Sequence, residues 1–433
     1  MSQPAADPDA FLPSGPPAQA GIRSLVGLAI FNHVAFSGAR VCLTITALHL
    51  NASTFQVGLL LSLLAMPPML MAIPLGRLID RTGSRWPMRL GTLVLGIGIV
   101  LPGLWLSMPA LIASALLVGI GFMPFHLGIQ KLISQLGSID ERRHNLSVMT
   151  IGFSVSAFIG PTSAGFLIDG PGNRLAFCLF AVLPMIAFAW QRLISARLIE
   201  QHAEPPAADS PHRLRDLLVT ADMRRLYIVV VLISSAWEVN QFVVPLYCTK
   251  IGISASGIGL ILGAFAVATL VVRMVVPLFL MNVSEWRVVL AAMAVAALVY
   301  ACYPLFSTLE SLIALSFLLG LGLGVSQPMT LSIMARSVPE GRLGEATGLR
   351  LALVMGMQTA LPTAFGALGA VFGVGLLFWG MAAMLGSGIL GVGGRCCETE
   401  HRFLPLHFHC HESAIAPCSP NPIRLTSRSM PAG

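Results

Sequence analysis

The feature that most constrains this chain is a series of apolar runs, each about as long as a helix that crosses a membrane. Such a helix needs about 20 apolar residues. Twelve runs of this length occur, in two groups of six separated by a polar stretch from Glu200 to Arg225. They lie near 24–48, 54–75, 88–108, 109–133, 146–168, 174–196, 226–248, 256–280, 288–307, 311–334, 344–370 and 372–392. The pattern predicts an all-α integral membrane protein with twelve transmembrane helices.

The composition excludes a soluble globular protein. Only 10% of the 433 residues are charged, and the mean hydropathy is +0.81. A soluble domain carries about 25% charged residues. The formal net charge of +7 could suggest nucleic acid, but the arginines fall between apolar runs and form no continuous basic face. We therefore expect a lipid bilayer around the chain and no nucleic-acid partner.

The distribution of basic residues predicts how the chain is oriented. Arginines follow the second, fourth and tenth runs and fill the central polar stretch, whereas the opposite side offers only Arg174 and Lys250. Basic loops stay in the cytoplasm, so we expect both termini there, in an inner (plasma) membrane. The predicted divisions are a disordered tail 1–21, a six-helix bundle 22–198, a cytoplasmic linker 199–225, a second bundle 226–394 and an atypical, disordered tail 395–433.

The two groups of runs are related by a constant offset of 201 positions, which indicates an internal repeat. Small and helix-bending residues of the first group recur in the second at this offset. The pairs are Gly58 with Gly259, Gly119 with Gly320, Gly121 with Gly322, Pro161 with Pro362 and Gly165 with Gly366. The offset predicts two six-helix repeats.

The stretch from Gly76 to Arg85 carries the most specific motif. It reads G-R-L-I-D-R-T-G-S-R between two apolar runs, and Gly76 and Gly83 suggest a tight reversal. Here the chain resembles the major facilitator superfamily, whose loop after helix 2 has the pattern G-x-L-x-D-R-x-G-x-R. The gating-loop residues that this resemblance implies are Gly76, Arg77, Asp80, Arg81, Gly83 and Arg85. The resemblance implies a transporter that works by alternating access.

For Asp80 the resemblance implies a conformational role. In the family this aspartate contacts the cytoplasmic start of helix 11, where the partial positive charge of a helix N-terminus favours a carboxylate. The corresponding start would be near Gly344, with Arg342 and Arg350 as further partners. The alternative is a solvated charge in a loop that only fixes topology.

The fifth run contains a second motif. Gly152, Ser156 and Gly160 recur every four residues, which gives a smooth stripe for close helix packing, and Pro161 interrupts the backbone hydrogen bonds. With Gly165, the stretch is similar to the helix-5 motif of drug:proton antiporters. Those antiporters usually carry an arginine in helix 4 where this chain has Ala115. Generic small-residue packing is the alternative.

Polar residues inside apolar runs are the candidate site residues, since such residues usually face a cavity or a partner. The resemblance implies that helices 1, 4, 7 and 10 line a central cavity. The candidates are Asn32, His33, Arg40, His126, Trp237, Glu238, Asn240, Gln241 and Gln327. Glu238, near the middle of its run, could bind a proton or the substrate, or it could form an inert ion pair with Arg40. Arg273 is expected only to extend its charge toward the membrane surface.

The last segment departs from the rest in composition. Its Cys and His residues are Cys396, Cys397, His401, His407, His409, Cys410, His411 and Cys418. Metal binding is one interpretation, but the spacing fits no ordinary zinc pattern. We predict a tail without a role, no metal site and no cofactor.

The leading functional prediction is proton-coupled efflux of a small apolar or mixed compound by a monomeric secondary transporter. The first alternative is a proton symporter that imports an organic anion, with Arg40 as the anion's partner. The second is a non-transporting sensor or decayed carrier. An enzyme is not expected, since no catalytic triad or phosphate-binding loop is found.

Overall fold

The computed structural model describes residues 16–135, 139–193, 221–279, 284–338 and 343–400. Within these ranges the chain forms twelve long helices and one short 3₁₀ turn, Tyr303–Leu305. The helices are α1 Pro16–His49, α2 Thr54–Thr82, α3 Arg85–Leu104, α4 Met108–Gln135, α5 Ile139–Asp169, α6 Asn173–Leu193, α7 Ala221–Lys250, α8 Ala255–Phe279, α9 Glu285–Cys302, α10 Leu309–Ser337, α11 Leu343–Phe372 and α12 Val374–Glu400.

The described helices confirm the twelve predicted membrane spans. Each of the twelve contains a stretch long and apolar enough to cross a bilayer. The hydrocarbon core of a bilayer offers no hydrogen-bond partners to the backbone. An α-helix is suited to it because its N–H and C=O groups bond to each other within one segment. The protein is therefore a multi-pass membrane protein of the all-α class.

Several helices extend beyond the predicted apolar runs. Helix α1 begins at Pro16, inside the segment expected to be a tail, and α5 begins at Ile139, seven residues before its run. Proline is favourable in the first turn of a helix, where its missing N–H costs no bond. Helix α12 continues to Glu400. The polar linker from 194 to 220, Arg342 and the Cys- and His-rich tail from 401 onward lie outside the described residues.

The reversal between α2 and α3 is shorter than the sequence suggested. Only Gly83 and Ser84 separate the two helices, and Gly83 has φ of +80°, which favours glycine. Gly76 was expected to take part in this reversal, but it lies inside α2. That expectation is wrong because one residue with positive φ is enough to end α2. Asp80 therefore lies on the last turns of a helix.

The helices form two six-helix repeats with the same internal packing, α1–α6 (the N-half) and α7–α12 (the C-half). In the N-half, α1 packs on α5, α2 on α4, and α3 on α4. The equivalent pairs of the C-half, α7 with α11, α8 with α10 and α9 with α10, also pack together. The two halves meet through α2 with α11 and through α5 with α8.

The residues matched by the offset of 201 form two equivalent contacts between the halves. A Cβ at Gly58 of α2 would lie 2.1 Å from the carbonyl oxygen of Pro362 in α11. A Cβ at Gly259 of α8 would lie 2.7 Å from the carbonyl oxygen of Pro161 in α5. The absence of a side chain at these glycines lets one helix backbone touch the other.

The two ends of the bundle differ in how closely the halves approach. We call the end of the bundle that contains Asn51 the Asn51 side. Here Thr54 Oγ1 donates to the Gly366 carbonyl at 3.0 Å. The Asp169 carboxylate accepts from the N–H groups of Ala255 and Ser256. This places a carboxylate of α5 at the N-terminus of α8, which is electrostatically favourable. The Asn51 side is therefore closed.

On the side of Gly83 (the Gly83 side), the contact between α2 and α11 is looser. Gly76 of α2 and both Gly348 and Gly356 of α11 have no described atom within 4 Å of a built Cβ. Met355 of α11 still packs against a cluster formed by Leu75 and Ile79 of α2 and Met123 of α4. The structure represents one conformation, which hydrogen bonds between the halves close on the Asn51 side.

Candidate functional site

A cavity of about 370 Å³ lies between the halves and extends from mid-helix to the Gly83 side. Helices α1 and α5 line it from the N-half, and α7, α8, α10 and α11 line it from the C-half. Helix α4 was expected to line a central cavity, but it supplies none of the described lining. Its buried face packs instead against α2 and α3, where Gly119 and Gly121 allow close backbone contact.

Six of the nine candidate residues line this cavity, and the structure brings them together from three helices, α1, α7 and α10. These are His33, Arg40, Trp237, Glu238, Gln241 and Gln327. On α7, positions 237, 238 and 241 share one helix face because a helix repeats every 3.6 residues. These three candidates therefore lie on the face of α7 that lines the cavity.

Asn32 and Asn240 are not part of the described lining. Each is fully buried and lies one helical position away from a lining residue, which turns it by about 100°. Asn32 donates from Nδ2 to the Leu28 carbonyl at 3.1 Å. The side-chain polar atoms of Asn240 have no described partner. Both residues lie between helices instead of facing the cavity.

His126 also lies behind the cavity surface, within a cluster of aromatic rings. Its ring lies 5.0 Å from that of Phe122 and 5.3 Å from that of Phe153, and its Nε2 hydrogen-bonds Gln130 Nε2 at 3.0 Å. His33, on the lining, lies 4.8 Å from the Phe153 ring. The two histidines thus belong to a cluster of aromatic rings on the N-half.

An ion pair joins the halves at the mid-helix end of the cavity. Arg40 Nη2 of α1 lies 2.5 Å from Glu238 Oε2 of α7. The Glu238 side chain is 4% exposed and the Arg40 side chain 20%. The carboxylate is therefore buried, whereas the guanidinium reaches the cavity. Of the two alternatives for Glu238, the structure favours the pair with Arg40 in this conformation.

Among the polar lining residues that sequence reasoning missed, three have long side chains: Arg273 of α8 and Arg350 and Gln358 of α11. Arg273 was expected only to reach the membrane surface, and Arg350 to serve the gating loop. The available signal was the presence of long polar side chains inside apolar runs. It was not used because the resemblance directed attention to helices 1, 4, 7 and 10.

Asp80 contacts a residue of its own half. Its Oδ1 lies 2.7 Å from Lys131 Nζ of α4, and its side chain is 53% exposed. The same ammonium also donates to the Ile79 carbonyl at 3.4 Å. Within the described residues Asp80 thus pairs with Lys131, and we interpret Lys131 as its partner in this conformation.

Replacing Asp80 with Asn is expected to slow transport several-fold without impairing membrane insertion. The loss would arise in the conformation closed on the Gly83 side, where the carboxylate would face the N-terminus of α11. Initial transport rates and the yield of folded protein measure the two effects. Asp222→Asn is a matched control, because Asp222 is 54% exposed and forms an equally superficial pair with Arg225. Unchanged transport by Asp80→Asn would contradict this role.

The fifth-helix motif serves two different interfaces. Gly152, Ser156 and Gly160 face α1, where a Cβ at Gly160 would lie 2.1 Å from Ser37 Oγ. Gly165 instead faces the other half, where its Cβ would lie 2.2 Å from the Ala255 carbonyl oxygen. Pro161 lines the cavity between these two regions. The motif therefore fixes α5 on α1 and also lets it approach α8.

A model of the Major Facilitator Superfamily matches residues 25–310 and 226–395, which together span most of the chain. The chain belongs to the Major Facilitator Superfamily. This membership identifies the protein as a transporter and not an enzyme, and the resemblance drawn from the signature loop is confirmed.

A curated relative agrees with this assignment. Multidrug resistance protein 1 of Bacillus subtilis (strain 168) is 26% identical over 159 residues, which are 36% of this chain and 40% of that protein. The chain thus matches less than half the length of this relative.

Solved structures of transporters share the fold of this superfamily member. A POT family transporter in complex with 5-aminolevulinic acid superposes with a TM-score of 0.75 at 14% identity, over 88% of this chain and 96% of that one. The nucleoside transporter NupG gives a TM-score of 0.70 at 14% identity, over 86% and 99%. With the family match, this fold identifies the protein as a secondary transporter of small molecules.

Proposed function

We propose that this protein exports a small, amphipathic organic compound across the inner membrane in exchange for protons, by alternating access. The observation that carries the proposal is the cavity between the two repeats, closed on the Asn51 side, extending to the Gly83 side, and crossed by the Arg40–Glu238 pair. The Gly83 side is assigned to the cytoplasm because basic residues concentrate there.

The contacts between the halves support alternating access. The closed side combines backbone contacts at Gly58 and Gly259 with the hydrogen bonds of Thr54 and Asp169. Such surfaces can separate as the halves rotate about a central site, as inverted or parallel repeats do in other transporters. The glycines without neighbours on α11, Gly348 and Gly356, lie where the opposite side would close.

Proton coupling is assigned to Glu238. Among the described residues that line the cavity it is the one carboxylate, and it joins the two halves through Arg40. A proton on Glu238 would remove its charge and weaken the pair, so that proton binding and the relative position of the halves are linked. A ligand or proton can shift a conformational equilibrium only through such a difference in interaction.

Export as the direction is supported by two similarities. The multidrug resistance protein of Bacillus subtilis matches part of the chain, and the fifth helix carries an antiporter-like motif from Gly152 to Gly165. Proton symport of an organic anion is the second candidate. It is favoured by the arginines of the cavity, which outnumber its carboxylates.

The test is to measure proton and substrate movement together in proteoliposomes that contain the full chain and a trapped pH indicator. A radiolabelled compound panel is added with and without a pH gradient. Antiport predicts that substrate and protons cross in opposite directions, and symport predicts the same direction. If compounds moved at the same rate with and without the pH gradient, proton coupling would be refuted. Vesicles with Glu310→Gln, an exposed acid at the start of α10, serve as the control.

A further inference from the structure

The Gly83-side end of the cavity carries two arginines, and no acidic partner of either is found among the described residues. Arg273 of α8 donates from Nη2 to Gln327 Oε1 at 2.8 Å and from Nη1 to Ser154 Oγ at 3.4 Å. Arg350 of α11 lines the same cavity, and its buried Nε has no hydrogen-bond partner among the described residues. Amide and hydroxyl partners orient a guanidinium group but do not neutralise its positive charge.

The charges of the cavity do not balance. Among the described lining residues there are three arginines and one glutamate, and the glutamate is paired with Arg40. Two of these arginines therefore have no acidic partner among the described residues, and both lie in helices that cross the membrane. Charged side chains at membrane depth are costly and usually mark the path of a substrate or ion. Guanidinium groups bind carboxylates and phosphates with paired, charge-assisted hydrogen bonds.

The cavity is also lined by aromatic side chains of both halves, which together form the aromatic wall. Phe36 and Phe153 line it from the N-half, and Trp237 and Phe265 from the C-half. The Trp237 and Phe265 rings pack edge to face at 4.7 Å, and Phe36 stacks on Phe122 at 3.9 Å. These rigid aromatic contacts suit a flat apolar group.

We propose that the substrate is an amphipathic organic anion, whose acidic group binds Arg273 and Arg350 and whose apolar body contacts the aromatic wall. This assignment differs from the sequence hypothesis, in which Arg40 was the anion's partner, because Glu238 already neutralises Arg40. It rests on the proposed transport through this cavity, but it does not depend on direction. A volume of about 370 Å³ suits a compound with one or two rings.

Binding of three matched probes tests the proposal. The full chain in nanodiscs of uncharged lipid is titrated by calorimetry with 1-naphthylacetate, its neutral amide 1-naphthylacetamide, and the cation 2-(1-naphthyl)ethylammonium. These compounds share one ring system and differ in charge. The acid is expected to bind about 10-fold or more tightly than the amide, as a charge-assisted hydrogen bond predicts. The ammonium compound is expected to bind least.

Variants then assign the acidic group to its partners. Arg273→Gln and Arg350→Gln should each weaken binding of the acid about 10-fold and leave that of the amide nearly unchanged. Arg273→Lys should keep more of the acid's affinity than Arg273→Gln. Arg336→Gln, which removes an exposed arginine of α10 paired with Glu285, should change neither affinity. Melting temperatures in the same nanodiscs show whether each variant is folded.

The outcomes separate this inference from the proposed function. Equal binding of acid and amide, preferred binding of the ammonium compound, or no binding of the acid to the folded wild-type protein would overturn the anion site. Proton-coupled transport of a neutral or cationic compound would then still stand. Arginine-dependent binding of the acid without any gradient-driven movement would support the anion site and contradict the proposed transport.

Discussion

Replacing Arg40 with Gln is expected to destabilise the protein by roughly 3–5 kcal/mol, the cost of leaving a buried charge without its partner. The residue left behind is Glu238, whose side chain is only 4% exposed. Replacing Glu238 with Gln should cost less, because the Arg40 side chain that remains is 20% exposed and reaches the cavity. Arg40→Gln is therefore expected to be the more destabilising of the two variants, because the charge it leaves unpaired, on Glu238, is the more buried one.

The double variant Arg40→Gln/Glu238→Gln should recover most of this stability, since both charges are then absent. Melting temperatures of the four proteins in nanodiscs form a double-mutant cycle, which isolates the coupling between the two residues. Arg174→Gln, an exposed arginine near the start of α6, controls for the loss of a positive charge. A double variant no more stable than Arg40→Gln alone would show that the pair does not hold the halves in this conformation.

The same variants distinguish a structural pair from a coupling site. If Glu238 carries the proton, Glu238→Gln should lose transport driven by a pH gradient and keep exchange of substrate in the absence of a gradient. Both transport modes are measured in proteoliposomes with equal amounts of folded protein. Wild-type stability together with wild-type pH-driven transport in Glu238→Gln would rule out both roles.

A side chain at Gly58 is expected to reduce transport about tenfold or more. A Cβ there would lie 2.1 Å from the Pro362 carbonyl oxygen and 3.2 Å from the Gly366 Cα, which are backbone atoms that cannot rotate away. Overpacking of this kind typically costs 1–3 kcal/mol, which is enough to disfavour the conformation closed on the Asn51 side. Gly58→Val should therefore slow the cycle, and Gly58→Ala should do so less strongly.

The repeat supplies both a second test and a control. Gly259→Val should have a similar effect, because its Cβ would meet the Pro161 carbonyl oxygen in the equivalent contact. Gly380→Val should not, since no described atom lies within 4 Å of the Cβ position in α12. Initial transport rates normalised to folded protein measure the effect. An undiminished rate in Gly58→Val would mean that the contact opens and closes without limiting transport.

The sequence by itself determined the number of spans, their grouping and the residues that let the halves touch. Membrane helices are recognised from composition because the hydrocarbon core demands about 20 apolar residues in succession. The matched residues Gly58, Gly259, Pro161 and Pro362 were visible as a repeat, because close backbone approach requires small residues wherever it occurs. The signature loop was equally visible, although the reversal itself proved to need Gly83 and not Gly76.

The tertiary structure alone decided which side chains face the cavity. In the structure Arg273 and Arg350 line the cavity, whereas Asn32 and Asn240 do not. Asp80 forms an ion pair with Lys131. In a soluble protein, alternation of polar and apolar residues marks the inner face of a helix. Lipid is as apolar as the interior of a helix bundle, so hydropathy does not distinguish the two faces of a membrane helix. The rotation of each helix is set by packing against its neighbours, which a sequence of similar apolar runs does not display.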